Sequence, residues 1–116
     1  LICRRKPGIR HAGKWEFPGG KVESGESPQD CLSREMMEEF NIRVTVGSFF
    51  AESIFEYRRG PVHLLAFHVY WDSGKMTPRD HDMVNWVEPL RLENYDLLPA
   101  DLPFAEKLAL IGNSTL

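Results

Sequence analysis

Cysteine is scarce in this chain: Cys3 and Cys31 are the only two among 116 residues. Two thiols make no disulfide framework, and their separation fits no metal knuckle. They read as reduced side chains of a cytoplasmic protein. Long apolar runs are missing too. No stretch approaches the roughly 20 residues that cross a bilayer. The most sheet-like one, 62–71, is broken by His63 and His68. A secretory leader pattern is absent. So is any excess of positive charge: 14 basic side chains stand against 17 acidic ones, for a net charge of −3. Wrapping a nucleic acid polymer needs the opposite balance. The expected partner is therefore neither a membrane nor a nucleic acid. The chain also has no GxxxxGKS or GKT loop and no GxSxG elbow, which removes P-loop chemistry and an activated serine of that type.

What remains suits a folded enzyme. Hydrophobic residues make up 42% and charged residues 27%, as in a globular domain. The length suits one domain, 1–116. Leu1-Ile2-Cys3 reads as the middle of a strand, so a first strand is expected to be lacking from this numbering. Residues 6–14 form a loop, and Pro18-Gly19-Gly20 is a breaker cluster. Ser27 before Pro28 marks a helix start, and a helix is expected over Pro28–Phe40. Asn41 tolerates the left-handed conformation that ends helices. Strands are expected at 42–46, 49–57, 62–71 and 83–87, with a hairpin turn at 58–61. A helical turn at 90–95 and a closing helix over 103–111 complete an α/β (α+β) pattern without a βαβ repeat.

Charge is unevenly placed. Residues 1–21 carry six basic side chains and one acid, whereas 22–40 carry six acids and one arginine. A basic segment abutting a carboxylate segment suits metal cations on carboxylates and a polyanion bridging both. On the helix, at about 100° per residue, Glu35, Glu38 and Glu39 share an arc of about 100°. Leu32, Met36 and Phe40 form the adjoining apolar stripe. Carboxylates three and four residues apart repel, and those near the C-terminus oppose the helix dipole. A solvated acidic face is one explanation. Hard divalent cations such as Mg²⁺ or Mn²⁺ are another, because they would relieve the repulsion.

The spacing around this helix is specific. Gly20, five residues, Glu26, seven residues, then Arg34-Glu35-Met36-x-Glu38-Glu39-x-Asn41-Ile42 resembles the Nudix box. That pattern ends Arg-Glu-apolar-x-Glu-Glu-x-Gly-apolar. Asn41 is the one departure among nine specified letters. The resemblance implies an α/β/α sandwich with a mixed sheet and a catalytic loop-helix-loop. It implies hydrolysis of a nucleoside diphosphate linked to another group, with Mg²⁺ or Mn²⁺. Glu38 and Glu39 would be metal ligands. Glu35 would join them or act as general base, and Gly19 would offer its carbonyl. Arg34 would orient a glutamate, and Glu26 would brace the loop.

Beyond the box, Trp15-Glu16-Phe17-Pro18-Gly19-Gly20-Lys21 and the tail from Tyr95 to Pro103 look like the MutT branch. That branch removes oxidised nucleotides or hydrolyses pyrimidine triphosphates. There Phe17 would lie against the base, and Asp101 would read its edge where the best-known bacterial member has asparagine. An ionised aspartate only accepts hydrogen bonds, which bears on the choice of base. Asp101 as a helix N-cap is the plainer reading. Asp80 would return to the metals or act through water, or is an ordinary acidic turn. Arg5 matches a basic position near the substrate, or is a surface arginine. Phe49, Phe50 and Phe55 are assigned to the core.

The resulting expectation is a Mg²⁺-dependent nucleoside triphosphate pyrophosphohydrolase, monomeric or homodimeric, that sanitises nucleotides such as 8-oxo-dGTP. CTP, dCTP or 5-methyl-dCTP is the alternative substrate. A non-catalytic nucleotide-sensing module is the alternative of a different class.

Overall fold

The layering follows from two adjacent residues. In the computed structural model, which describes residues 1–114, strand β1 (Ile2–Arg5) carries Ile2 and Cys3, both fully buried. Successive strand side chains point to opposite faces, so both faces of this strand must be covered. Ile2 packs with Trp15, Leu92, Leu97 and Ala105, and Cys3 with Met36, Phe40 and Ile42. The first cluster leads to the C-terminal helix and the second to the acidic helix. The sheet is thereby held between helices.

The remaining elements are β2 (Trp15–Glu16), α1 (Pro28–Phe40), β3 (Arg43–Tyr57), β4 (Gly60–Ser73), β5 (His81–Asn85) and α2 (Leu102–Ser114). Two 3-10 turns, Pro89–Asn94 and Pro99–Asp101, precede α2. The expected α+β class holds. The strands form two antiparallel sheets, ordered β2-β1-β5 and β3-β4. Among the described residues, a parallel contact joins Trp15 to Leu97 as an isolated bridge. No helix among them is long and apolar enough to cross a membrane.

Helix α1 has the expected ends. The Ser27 hydroxyl accepts the Asp30 N–H at 3.1 Å, and Pro28 stands at the first turn. Asn41 adopts φ 58, and its N–H reaches Met37 O at 3.0 Å. Cys31, Met36 and Phe40 are buried. Burying Phe40 alone contributes about 2–3 kcal/mol.

The hairpin differs from the sequence reading in its turn, since Gly60 and Pro61 pair within β4, and in its first strand. The expected strands 42–46 and 49–57 are parts of one strand, with register shifts between Val46 and Phe49 and between Phe49 and Ala51. Gly47-Ser48 looks like a break but is absorbed as a bulge. The irregularity turns Phe49 outward, to 54% exposure, against Phe67 on the facing strand. The core assignment of Phe49 is thereby corrected. Phe50 is half-buried, with the Lys107 ammonium 4.6 Å from its ring centroid.

Candidate active site

A cleft of about 1070 Å³ runs between the β3-β4 hairpin and the loop after β2. Phe17, Gly19, Gly20, Leu32, Tyr57 and Asp101 are among its lining residues. The acidic helix flanks this cleft, and its order comes from one side chain. Arg34 donates to both Glu26 oxygens at 2.7 and 3.0 Å. It also donates to Glu35 at 2.9 Å, to Glu38 at 3.1 Å and to Lys21 O at 3.1 Å. The planar guanidinium can do this because its five N–H groups form a fixed fork. The Arg34 fork, ahead of the Glu23 backbone N–H, pulls the Glu26 carboxyl down to about 2. Glu26 therefore stays ionised and keeps Arg34 in place.

Glu35 lies tight against the loop. A Cβ on Gly20 would come within 2.1 Å of Glu35 Cδ, so no larger residue fits there without moving the carboxylate. Gly20 serves by having no side chain. The Cys31 thiol donates to Gly20 O at 3.7 Å. Both thiols are free and buried, and burial pushes the Cys3 thiol up. They are inert by that measure.

Glu39 is placed differently. Its Oε2 is buried and has no hydrogen-bond partner among the described residues. Burial, then the facing Asp80 carboxylate and Glu35, raises its pKa. Across from it, the Glu39 carboxyl holds Asp80 low, and Lys6, Arg79 and His81 add to that. Backbone bonds bring this loop to the helix end: Arg79 N–H donates to Glu39 O at 2.9 Å and Thr77 N–H to Phe40 O at 2.8 Å. Asp80 thus joins the helix carboxylates although 41 residues separate it from Glu39. A buried carboxylate oxygen without a donor is costly unless a cation or proton meets it. The oxygen-rich donor set therefore suits a hard divalent cation in kind. Among the described residues no three ligand-type side chains already surround one point. A cation would have to gather them.

Asp101, a residue of the cleft wall, is 6% exposed. Its Oδ2 accepts the Phe17 backbone N–H at 3.2 Å. The N-cap reading is not realised: the carboxylate bonds across the fold, not to the helix that follows. Burial, working against the Phe17 N–H and aided by Glu16, pushes the Asp101 pKa up to about 7. The sequence reading considered the ionised form, which only accepts; burial favours the protonated one. Near neutral pH this carboxyl is partly protonated, and then it both donates and accepts. Phe17 packs on Phe104 with ring centroids 6.4 Å apart.

Arg5 is committed elsewhere. Its guanidinium donates to Glu16 at 2.8 Å and to the Arg10 carbonyl. His81 reaches the same Glu16 oxygen at 3.5 Å and stacks on Phe40. Burial opposes it, but His81 and Arg5 hold Glu16 below the usual carboxylate range. Arg10, His11 and Glu16 line the cleft, and Arg5 bonds to the first and the last of them. Sequence reasoning missed this set. The left-handed φ of 58 at His11 has no single-residue signature.

Comparison with known proteins agrees with this geometry. The NUDIX domain family matches residues 1–108. The CTP pyrophosphohydrolase of Escherichia coli (strain K12) is 39% identical over 106 residues, spanning 91% of this chain and 78% of that protein. The 8-oxo-dGTP diphosphatase of the same organism is 32% identical over 108 residues, spanning 93% and 84%. The crystal structure of a MutT protein from Methanosarcina mazei Go1 superposes with a TM-score of 0.84 at 27% identity, covering 96% of this chain and 83% of that one.

Proposed function

The chain belongs to the Nudix family and is a Nudix hydrolase, and from that premise we propose that it cleaves nucleoside triphosphates to the monophosphate and pyrophosphate. The observation that carries this reading is the ordering of Glu35, Glu38 and Glu26 by Arg34 beside a cleft that Asp101 helps to line.

The family generally needs a divalent metal. We assign Mg²⁺, with Mn²⁺ as a substitute, to Glu35, Glu38, Glu39, Asp80 and the Gly19 carbonyl. A bound divalent ion would lower the pKa of water and neutralise charge on the phosphates. Glu35 has one oxygen on Arg34, which leaves the other either to a metal or to take the proton from the attacking water. Arg34 keeps that carboxylate oriented, and Glu26 keeps Arg34 oriented. Water attack at the β-phosphorus releases pyrophosphate from the monophosphate. Arg5 acts through Glu16 at the cleft wall. No covalent nucleophile is needed.

Phe17 and Asp101 read the base. Protonated Asp101 offers a donor beside an acceptor, as an asparagine would. The O6 and N7–H edge of 8-oxoguanine matches that pair, so 8-oxo-dGTP is the leading substrate and nucleotide sanitising, in the service of DNA repair, the leading role. The N3 and N4–H edge of cytosine matches the pair as well. The 39% identity to a CTP pyrophosphohydrolase favours that second reading. A site in the cytoplasm and a monomer or homodimer fit both.

Hydrolysis with Mg²⁺ across 8-oxo-dGTP, dGTP, CTP, dCTP and 5-methyl-dCTP, with products separated by chromatography, tests the reading. Monophosphate plus pyrophosphate from 8-oxo-dGTP is expected. Preference for a cytosine nucleotide installs the second reading. Binding without turnover of any of them would replace both with a sensing module.

A further inference from the structure

Asp101 sits in a short 3-10 turn, Pro99–Asp101, whose N-cap residue Leu98 donates its N–H to Trp15 O at 2.9 Å. Its neighbour Ala100 is held from outside the turn at both polar groups of its backbone. The Ser53 hydroxyl donates to Ala100 O at 2.9 Å, within the buried interior. The Ala100 N–H donates to Tyr57 Oη at 3.2 Å. Ser53 and Tyr57 lie four residues apart on β3 and therefore on one face of the strand. Ser53 is 7% exposed. A buried hydroxyl needs a partner, and here the partner is the peptide next to the base-reading residue.

Tyr57 is itself fixed from two sides. Phe55 packs on its ring with centroids 4.7 Å apart, and His11 lies 6.0 Å away. The position of the hairpin is thus transmitted to the turn through two hydrogen bonds. On the far side of Asp101 the Phe17 N–H supplies the third.

We propose that Ser53 and Tyr57 are positioning residues for base selection, clamping the Ala100 backbone so that the Asp101 carboxyl stands at a set place in the cleft. The assignment rests on the reading that Asp101 faces the base. Ser53 is buried and does not line the cleft, so its substitution should spare the chemical step. Hydrogen-bond geometry for a base is met within a few tenths of an ångström or lost, so a turn released on one side weakens selection.

The test compares wild type with Ser53→Ala, Ser53→Thr, Tyr57→Phe and Asp101→Asn. Two readouts are taken: kcat and KM for the preferred triphosphate against dGTP, and affinity for the matching monophosphates in EDTA by calorimetry. Ser53→Ala and Tyr57→Phe should each reduce the preference, and the preferred monophosphate's affinity, by about fivefold, the size of one net hydrogen bond. For Ser53→Ala kcat should hold within twofold, and Ser53→Thr should preserve selection. Combined with Asp101→Asn, they should add little further loss. If Asp101→Asn changes selection and both hairpin variants do not, the clamp is wrong and the base-reading assignment stands. If Asp101→Asn leaves selection and monophosphate affinity unchanged, the base-reading assignment fails and the clamp fails with it. Equal loss for every nucleotide, with kcat falling in step, assigns Ser53 and Tyr57 to general stability and overturns the proposal.

Discussion

The Asp101 carboxylate accepts a hydrogen bond from the Phe17 backbone N–H at 3.2 Å, across 84 positions of sequence. The bond joins the turn before α2 to the loop that leads into the box. It places the candidate base reader beside the aromatic ring expected to lie against the base. Asp101 is also a residue of the cleft wall.

The raised Asp101 pKa has a defined consequence for stability. The free value is 3.8 and the folded value about 7. Between these limits the native chain holds a proton that the unfolded chain has lost. Stability from this group is complete below pH 4 and falls as the pH rises to 7. The ceiling is on the order of 4 kcal/mol. Melting temperatures at pH 5 and pH 8 should show a wild-type loss that Asp101→Asn does not share. Monophosphate affinity should decline over the same range in wild type and stay flat in the variant.

Gly20→Ala should disable the site without unfolding the protein. The new Cβ would overlap the Glu35 carboxyl carbon at 2.1 Å. Moving that carboxylate by about 1 Å costs about 100-fold in rate. Turnover measured beside far-ultraviolet circular dichroism separates this effect from misfolding. An active Gly20→Ala enzyme would remove Glu35 from the chemistry.

Arg34→Lys should lower kcat by about 10- to 100-fold, the range for residues that orient a ligand set. A lysine ammonium cannot span Glu26, Glu35 and Glu38 at once, because it lacks the planar fork. Steady-state kinetics at saturating Mg²⁺ and again at tenfold higher Mg²⁺ check this. Full recovery at the higher concentration would mean that Arg34 serves metal affinity alone.

Glu39→Gln should weaken Mn²⁺ binding by at least about tenfold, as read by electron paramagnetic resonance. The buried Oε2 has no donor among the described residues, and an amide cannot supply the negative charge a hard cation prefers. EDTA should abolish wild-type turnover, and added Mg²⁺ should restore it. Unchanged Mn²⁺ affinity in the variant would move the metal away from Glu39.

At the helix end, Asn41→Gly should be neutral or slightly stabilising, while Asn41→Ala should cost about 1 kcal/mol. The reason is the φ of 58, which glycine adopts freely and alanine resists. Urea melts of the two variants provide the comparison.

Much of the fold and site is local, and what is local was legible. Ser27-Pro28 and Asn41 bound helix α1 because capping chemistry acts over three or four residues. Glu35, Glu38 and Glu39 share a face because the helical repeat places them there. The turn at Arg58-Arg59 follows from two flanking apolar runs. Phe49 was misplaced because a bulge changes which face a residue occupies, and the partner strand decides where a bulge goes.

The sequence by itself determined the family, the acidic helix and the class of chemistry, since each rests on residue types at fixed short spacings. Tertiary structure alone decided which carboxylates meet. Asp80 reaches Glu39, Arg5 is spent on Glu16, and Ser53 with Tyr57 grips the Ala100 backbone. It also decided the charge of Asp101, because a pKa depends on the water and charges around a group and not on its neighbours in the chain.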